Sequence, residues 1–334
     1  MGNLQQYAEL MSSQFKAITF GSRFSLRKKS TTKMSSTAIE FNEHGFAVVE
    51  VMVDKNQLKI VNCSFVHNTN TKIRGELINE LFDRKRINKD NCKIVLSGHS
   101  YKFLLAEAPN APLESLRHIM PNKIKDSLPW KLSEVTADVL QLPQDAFKGR
   151  KNSVYVAVAQ TELIDNYVRL LMGVGIQPDN VTTVELGLRA YWPLINPEPK
   201  KSIGIMRITE SGGVIVMMCD GDIYLARRIV IDLNSLNEEG VNRQDVFDQV
   251  VLEIQRSVEF YESQLGKGSV SKVVMLPPPL DLGVGFDYIE QNISTDIEIF
   301  RPFETLGFDQ DMTAKDQSYC VGALGAAMEG LKYG

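Results

Sequence analysis

The residue groups that could do chemistry are few. Ser97-Gly98-His99-Ser100 sets hydroxyls beside an imidazole, the pair a nucleophile and its base would need. It lacks the Gly-x-Ser-x-Gly frame of a nucleophile elbow and has no obvious partner acid, so it reads as a strand-edge turn. Cys63 and His67 have ligand-like spacing, but no second Cys/His pair sits nearby in the chain, and no metal site is expected. Gly283-Val284-Gly285 has no third glycine and reads as a loop rather than a dinucleotide turn. No catalytic residue is expected among these groups. What remains is a set of polar turns: Asn42-Glu43-His44-Gly45, Asp54-Lys55-Asn56-Gln57, Thr209-Glu210-Ser211-Gly212-Gly213 and Asp220-Gly221-Asp222.

These turns join apolar, strand-like runs. Residues 38–41, 46–52 and 58–66 form one three-stranded meander, and 203–208, 214–219 and 223–231 form a second. Each opens one half of the chain, which predicts two related lobes framing a cleft. A length of 334 residues suits two cores better than one. Residues 71–88 read as a helix with Ile73, Leu77 and Leu81 on one face, and 92–96 as a buried strand. A distinct unit follows. Residues 103–106 and 135–141 are strands, and 113–127 are helical with Leu116, Ile119 and Ile124 inward and Pro121 as a break or kink. A strand at 154–159 leads to a helix capped by Thr161 that buries Ile164, Val168 and Leu171. Residues 181–192 read as a second helix, and the three prolines in 193–201 mark a linker. Beyond the second meander, 244–264 is a helix with Val246, Val250, Ile254, Val258 and Tyr261 one turn apart. A strand at 270–276 runs into Pro277-Pro278-Pro279, then come a helix at 288–292 and a strand at 297–300. Residues 318–332 form a helix of small residues suited to close packing.

Composition excludes several classes. An apolar fraction of 43% with 23% charged residues is that of a soluble globular protein. The longest apolar run, 319–328, is far short of the ~20 residues of a membrane span. No leader peptide is expected, and the four scattered cysteines read as reduced core thiols of a cytosolic protein. Residues 1–39 carry six bases against one acid, a net +5, and the remainder carries 31 bases against 40 acids, a net −9. Such an acidic body disfavours nucleic acid as a partner. Within the basic arm, Leu4, Tyr7, Met11 and Phe15 share a helical face. The arm, residues 1–35, reads first as a mobile tail, with contact to an anionic membrane surface as the alternative.

The order of elements, a meander, an inserted α/β unit, a linker, a second meander, a long helix and a terminal Ala/Gly helix, resembles the actin-like ATPase fold. Four stretches sharpen the resemblance: 113–139, Ala157-Val158-Ala159-Gln160-Thr161-Glu162 through Gly173-Val174-Gly175-Ile176-Gln177-Pro178, Asp220-Gly221-Asp222 with Arg227-Arg228, and Glu253-Ile254-Gln255-Arg256-Ser257-Val258-Glu259-Phe260-Tyr261. They resemble the PilM family of type IV pilus assembly, and most nearly its MshI-type members of MSHA pilus biogenesis. The resemblance implies an α/β, actin-like (ribonuclease H-like) fold of two lobes with an inserted α/β subdomain. It divides the chain into the arm at 1–35, a first lobe at 36–200 with the insert at about 97–150, a second lobe at 201–311 with a helical part at about 236–268, and a C-terminal helix at 312–334 returning to the first lobe.

Actin-like ATPases hold phosphates in two Asp-x-Gly hairpin turns and adenosine in a glycine-rich third. Here the first turn has Glu40-Phe41-Asn42, with Ala47 where the family has a lysine. The second has Arg207-Ile208-Thr209, and the third has Pro277-Pro278. Arg207 cannot bind Mg²⁺ and reverses the local charge, and the prolines remove N–H donors. The expectation is a degenerate cleft: no catalytic residue, no metal and no ATP cofactor. The implied role is a cytoplasmic scaffold tied to the inner membrane through its partners. Those are a PilN-like protein, whose cytoplasmic tail would lie beside the insert at about 103–141, and other pilus platform proteins. The alternative is a working ATP-binding protein that couples nucleotide state to assembly, and a filament-forming, membrane-tethered relative of the FtsA type is a third reading.

Overall fold

The structure is a computed structural model that describes residues 35–96, 98–149, 152–195, 198, 200–210, 212–237, 243–308 and 312–332. The arm at 1–34 and Ser97, both read above from sequence, lie outside the described residues.

The first meander is β1 (Ser35–Phe41), β2 (Gly45–Asp54) and β3 (Gln57–His67), antiparallel throughout. Helix α1 (Arg74–Lys85) follows, burying Arg74, Ile78, Leu81 and Phe82. Its inward stripe differs from the expected one, since Ile73 is 40% exposed. The Asn70 side chain accepts the Lys72 N–H and starts a 3₁₀ turn over Thr71–Ile73, which resets the helical phase before α1 begins. Strand β4 (Cys92–Leu96) lies parallel to β1.

The insert, expected to end at about 150, shares its sheet with the strand after it: β5 (Tyr101–Glu107), α2 (Leu113–Lys123), β6 (Val135–Gln141) and β7 (Ser153–Gln160), the strands pairing antiparallel in the order β5-β7-β6. Leu116, Met120, Val154, Val156 and Val158 make a small core of their own. Met120 takes the inward place expected of Ile119, which is 43% exposed. Pro121 falls in the last turn of α2, where it cannot donate to the carbonyl four residues back, and the helix stops two residues later.

Helix α3 (Thr161–Gly173) buries the expected Ile164, Val168 and Leu171. Thr161 does not cap it. Its hydroxyl lies 2.9 Å from that of Thr136 on β6. Residues 181–183, expected to be helical, belong to β8 (Pro178–Thr183), because Val181-Thr182-Thr183 is β-branched and pairs with β4. Helix α4 (Val184–Arg189) and a single turn, α5 (Trp192–Ile195), follow. Pro193 sits inside that turn, where a helix start tolerates proline.

The second meander is β9 (Ser202–Thr209), β10 (Gly212–Cys219) and β11 (Asp222–Ile229). Helix α6 (Arg243–Phe260) buries its predicted stripe and runs on into a π turn, Tyr261–Leu265. Then come β12 (Val270–Met275), α7 (Val284–Asn292), β13 (Asp296–Ile299), the short α8 (Pro302–Thr305) and α9 (Ala314–Met328). The two large sheets have the orders β3-β2-β1-β4-β8 and β11-β10-β9-β12-β13. Each is an antiparallel meander with two parallel strands added beside its first strand.

Helix α9 crosses the first sheet and α4, buried from Ser318 to Met328. Its glycines allow the close approach: a Cβ on Gly325 would lie 2.3 Å from the Gly187 carbonyl oxygen of α4. The buried Tyr191 hydroxyl donates to Val321 O at 2.6 Å in the middle of the helix, and Lys93 donates to Ala326 O at 2.8 Å, a carbonyl of its last turn.

Candidate functional site

β1 and β9 occupy the same place in their sheets, and their C-terminal ends converge. Glu40 is the sixth residue of β1, and Arg207 is the sixth of β9. Arg207 Nη1 donates to Glu40 Oε1 at 2.6 Å, and both side chains are buried. The same Glu40 faces Ala47 across β2, and Arg207 faces Val214 across β10. Helix α9 covers the pair. A Cβ on Gly322 would lie 2.2 Å from Glu40 Oε2 and 2.3 Å from Arg207 Nη1, so only a glycine backbone fits over it.

The turns beside the pair are satisfied from within. Asn42 Oδ1 accepts the N–H groups of His44 and Gly45, each at 2.9 Å, an Asx turn that occupies amides a phosphate would need. The Thr209 hydroxyl donates to Gly212 O at 2.9 Å. Pro277 and Pro278 follow β12 and are half-buried.

A second layer of side chains spans the same turns. Glu210, just past β9, is buried. The Tyr319 hydroxyl donates to Glu210 Oε1, Lys315 Nζ lies 3.4 Å from that oxygen, and His44 Nε2 from the first turn lies 3.7 Å from Oε2. Burial, and then the hydrogen-bonded Glu210 carboxylate, push the Tyr319 phenol far above its ordinary range, so it remains a donor. Its ring lies tilted against that of Phe65, centroids 4.4 Å apart.

No known family profile matches the sequence, and no curated protein matches it. Solved structures do. One is a chain of a PilM-PilN type IV pilus biogenesis complex, at TM-score 0.66 and 16% identity, covering 89% of this chain and 97% of that one. Another, from Bacteroides thetaiotaomicron, is described as a protein with actin-like ATPase fold and unknown function; its TM-score is 0.51 at 9% identity, over 80% of this chain and 91% of its own. This chain has the actin-like fold. A third similar structure is the cytoplasmic domain of EpsL, an inner membrane component of the type II secretion system of Vibrio cholerae, at TM-score 0.49, 10% identity, and coverage of 89% and 97%.

In this actin-like frame the sequence-predicted positions do not all converge. Glu40, Ala47 and Arg207 meet at the two strand ends, Asn42 and Thr209 close their own turns, and Pro277-Pro278 lie beyond β12. Glu40's carboxylate faces a guanidinium instead of a metal ion, and the guanidinium is held by Glu40. Sequence reasoning missed Glu210, Tyr319, Lys315, His44 and Gly322. The signal available for them was adjacency: Glu210 follows Thr209 directly, and Gly322 lies in the small-residue helix.

The other constellations separate. Cys63 is buried within β3, while His67 at the end of that strand is exposed and lies 2.8 Å from Asp316. Among the described residues, no group of three or more His, Cys, Asp or Glu could hold a metal ion. Gly98–Ser100 form a 3₁₀ turn, and Val284 is already the first residue of α7 rather than loop. No described helix is long and apolar enough to cross a membrane.

The insert is fastened to both lobes. Tyr155 of β7 treats the edge strand β11 as a neighbouring strand would: its hydroxyl accepts from Ala226 N at 2.8 Å and donates to Ala226 O at 3.2 Å. Tyr101 donates to Glu185 Oε2 at 2.5 Å, and Arg228 lies over the Tyr101 ring at 4.3 Å, with Nη2 3.8 Å from Glu185 Oε1. Burial, then the Glu185 charge, hold the Tyr101 phenol well above its ordinary range.

Proposed function

We propose that this chain is a non-catalytic scaffold of type IV pilus assembly, PilM-like, that holds the cytoplasmic tail of a PilN-like inner-membrane protein. The observation that carries the non-catalytic half is the Glu40–Arg207 pair, buried at 2.6 Å between the two strand ends. Phosphoryl transfer depends on positioning groups for Mg²⁺ and phosphate, and here those positions neutralise each other. Mg-ATP could enter only by breaking a buried, hydrogen-bonded ion pair, and Asn42 already occupies two amides of the first turn.

The partner half is supported by the likeness to a chain of a PilM-PilN complex and by the PilM-type stretches of the sequence. The tail lies beside the insert, where Phe103 is half-buried and Leu105 is exposed. An extended peptide with few anchors loses entropy on ordering, so moderate affinity follows. The protein works at the cytoplasmic face of the inner membrane, attached through its partners, without ATP or metal. The MshI-type resemblance of the sequence favours an MSHA-like pilus. The test is titration with the synthetic cytoplasmic tail of a PilN-like protein. Saturable binding in the micromolar range supports the reading, and no binding there overturns the partner half. Calorimetry with Mg-ATP tests the other half. Saturable heat that disappears on changing Arg207 or Glu40 overturns it in favour of a working nucleotide-binding protein.

A further inference from the structure

We infer that Glu40, Arg207 and Gly322 form a ligand-independent clasp that holds the two lobes at one fixed angle. Glu40 belongs to the first sheet and Arg207 to the second, so their 2.6 Å bond spans the two lobes. Neither charge has water around it: Glu40 is fully buried and Arg207 is 4% exposed. Parting the strand ends would break this bond, and a buried charge that loses its partner is far costlier than an exposed one. Helix α9 adds a third side, because Gly322 touches both partners and Tyr191 and Gly187 pin the same helix from α4. Glu210 repeats the connection at the rim. It extends from the end of β9 and meets His44 of the first turn, with Tyr319 and Lys315 of α9.

In a two-lobed protein, hinge closure is commonly driven by a ligand between the lobes. Here side chains of the protein itself make that connection, so the lobe angle is set during folding. This goes beyond the scaffold reading and does not depend on whether a pilus-protein tail binds.

The experiment measures the distance between spin labels on Glu80→Cys of α1 and Glu290→Cys of α7, both exposed, in the full chain whose own cysteines are all buried. The parent should show one narrow distance that Mg-ATP leaves unchanged. Glu40→Gln and Arg207→Met should each broaden or lengthen it. Because a lone buried charge could unfold either variant, the double variant Glu40→Met with Arg207→Met is included. It removes the clasp without stranding a charge, and it should fold with a broadened distance. A parent distance that is already broad, or that shifts with Mg-ATP, overturns the clasp. So does a folded variant, single or double, that keeps the narrow parent distance. Tail binding is read separately by titration, so failure of the clasp and failure of the scaffold reading are distinguishable.

Discussion

Glu40 and Arg207 stand at the same position of two duplicated strands and bond to each other at 2.6 Å, 167 residues apart in the chain. Opposite charges at repeated positions turn the two sides of a cleft into the two halves of one contact. The bond links the first sheet to the second.

Removing one partner should be costly. Glu40→Gln or Arg207→Met leaves the other charge buried, and each should lower stability by about 3–5 kcal/mol. The doubly apolar variant should recover most of that loss, because no charge is then stranded. Denaturant unfolding of Glu40→Met, Arg207→Met and the variant that combines them closes the cycle. Additive losses would mean that the charges do not interact.

Helix α9 should not tolerate a methyl group where it crosses its neighbours. Gly322→Ala places a Cβ against Glu40 and Arg207, and Gly325→Ala places one 2.3 Å from Gly187 O. Overpacking of this kind costs about 1–3 kcal/mol. Gly173→Ala at the end of α3 is the control, since nothing lies within 4 Å of the added Cβ. Its melting temperature should be unchanged or slightly higher, whereas both α9 variants should melt lower.

The Asx turn at Asn42 predicts a split between two similar substitutions. Asn42→Asp keeps an acceptor for the His44 and Gly45 N–H groups and should be nearly neutral. Asn42→Leu loses both bonds and should cost ~1–3 kcal/mol at about 0.5–1.5 kcal/mol each. Thermal melts of the two variants are sufficient to check it.

Alkaline pH should destabilise the fold through its buried tyrosines. Burial is the leading cause that raises the phenols of Tyr101, Tyr155 and Tyr191 above the ordinary value of 10.0. Above that value the unfolded chain releases these protons while the folded chain retains them, so the unfolded state binds fewer protons and stability falls as pH rises. Below it, these groups make no difference. Unfolding free energy measured from neutral pH up past the ordinary tyrosine value should decline, with tyrosinate absorbance growing in step with unfolding. Full tyrosinate absorbance in the folded protein would contradict this.

The cysteines should be silent in the native state. All four are buried, and burial with the nearby Asp179 charge pushes the Cys92 thiol up to about 12. A thiol reagent should react slowly with the native chain and promptly after denaturation.

Local chemistry made much of the architecture legible. Apolar runs punctuated by Asn-Glu-His-Gly and Asp-Gly-Asp turns mark both meanders, and the five apolar residues along α6 are all buried as their spacing predicts. Where local rules missed, a neighbour intervened. Asn70 reset the phase of α1, β4 drew Val181-Thr182-Thr183 into a strand, and Thr136 engaged the hydroxyl expected to cap α3.

Which residues stand at the two turns was legible in the chain itself: Glu40, Asn42, Ala47, Arg207 and Thr209, none of them the Asp or Gly of an Asp-x-Gly hairpin. What those residues contact was settled by packing across the chain. That Glu40 reaches Arg207, that Gly322 seals them and that Glu210 meets His44 depend on how two sheets and α9 dock. Propensity and periodicity act over a few residues, whereas a buried ion pair depends on the geometry that brings distant strand ends together and excludes water from both charges.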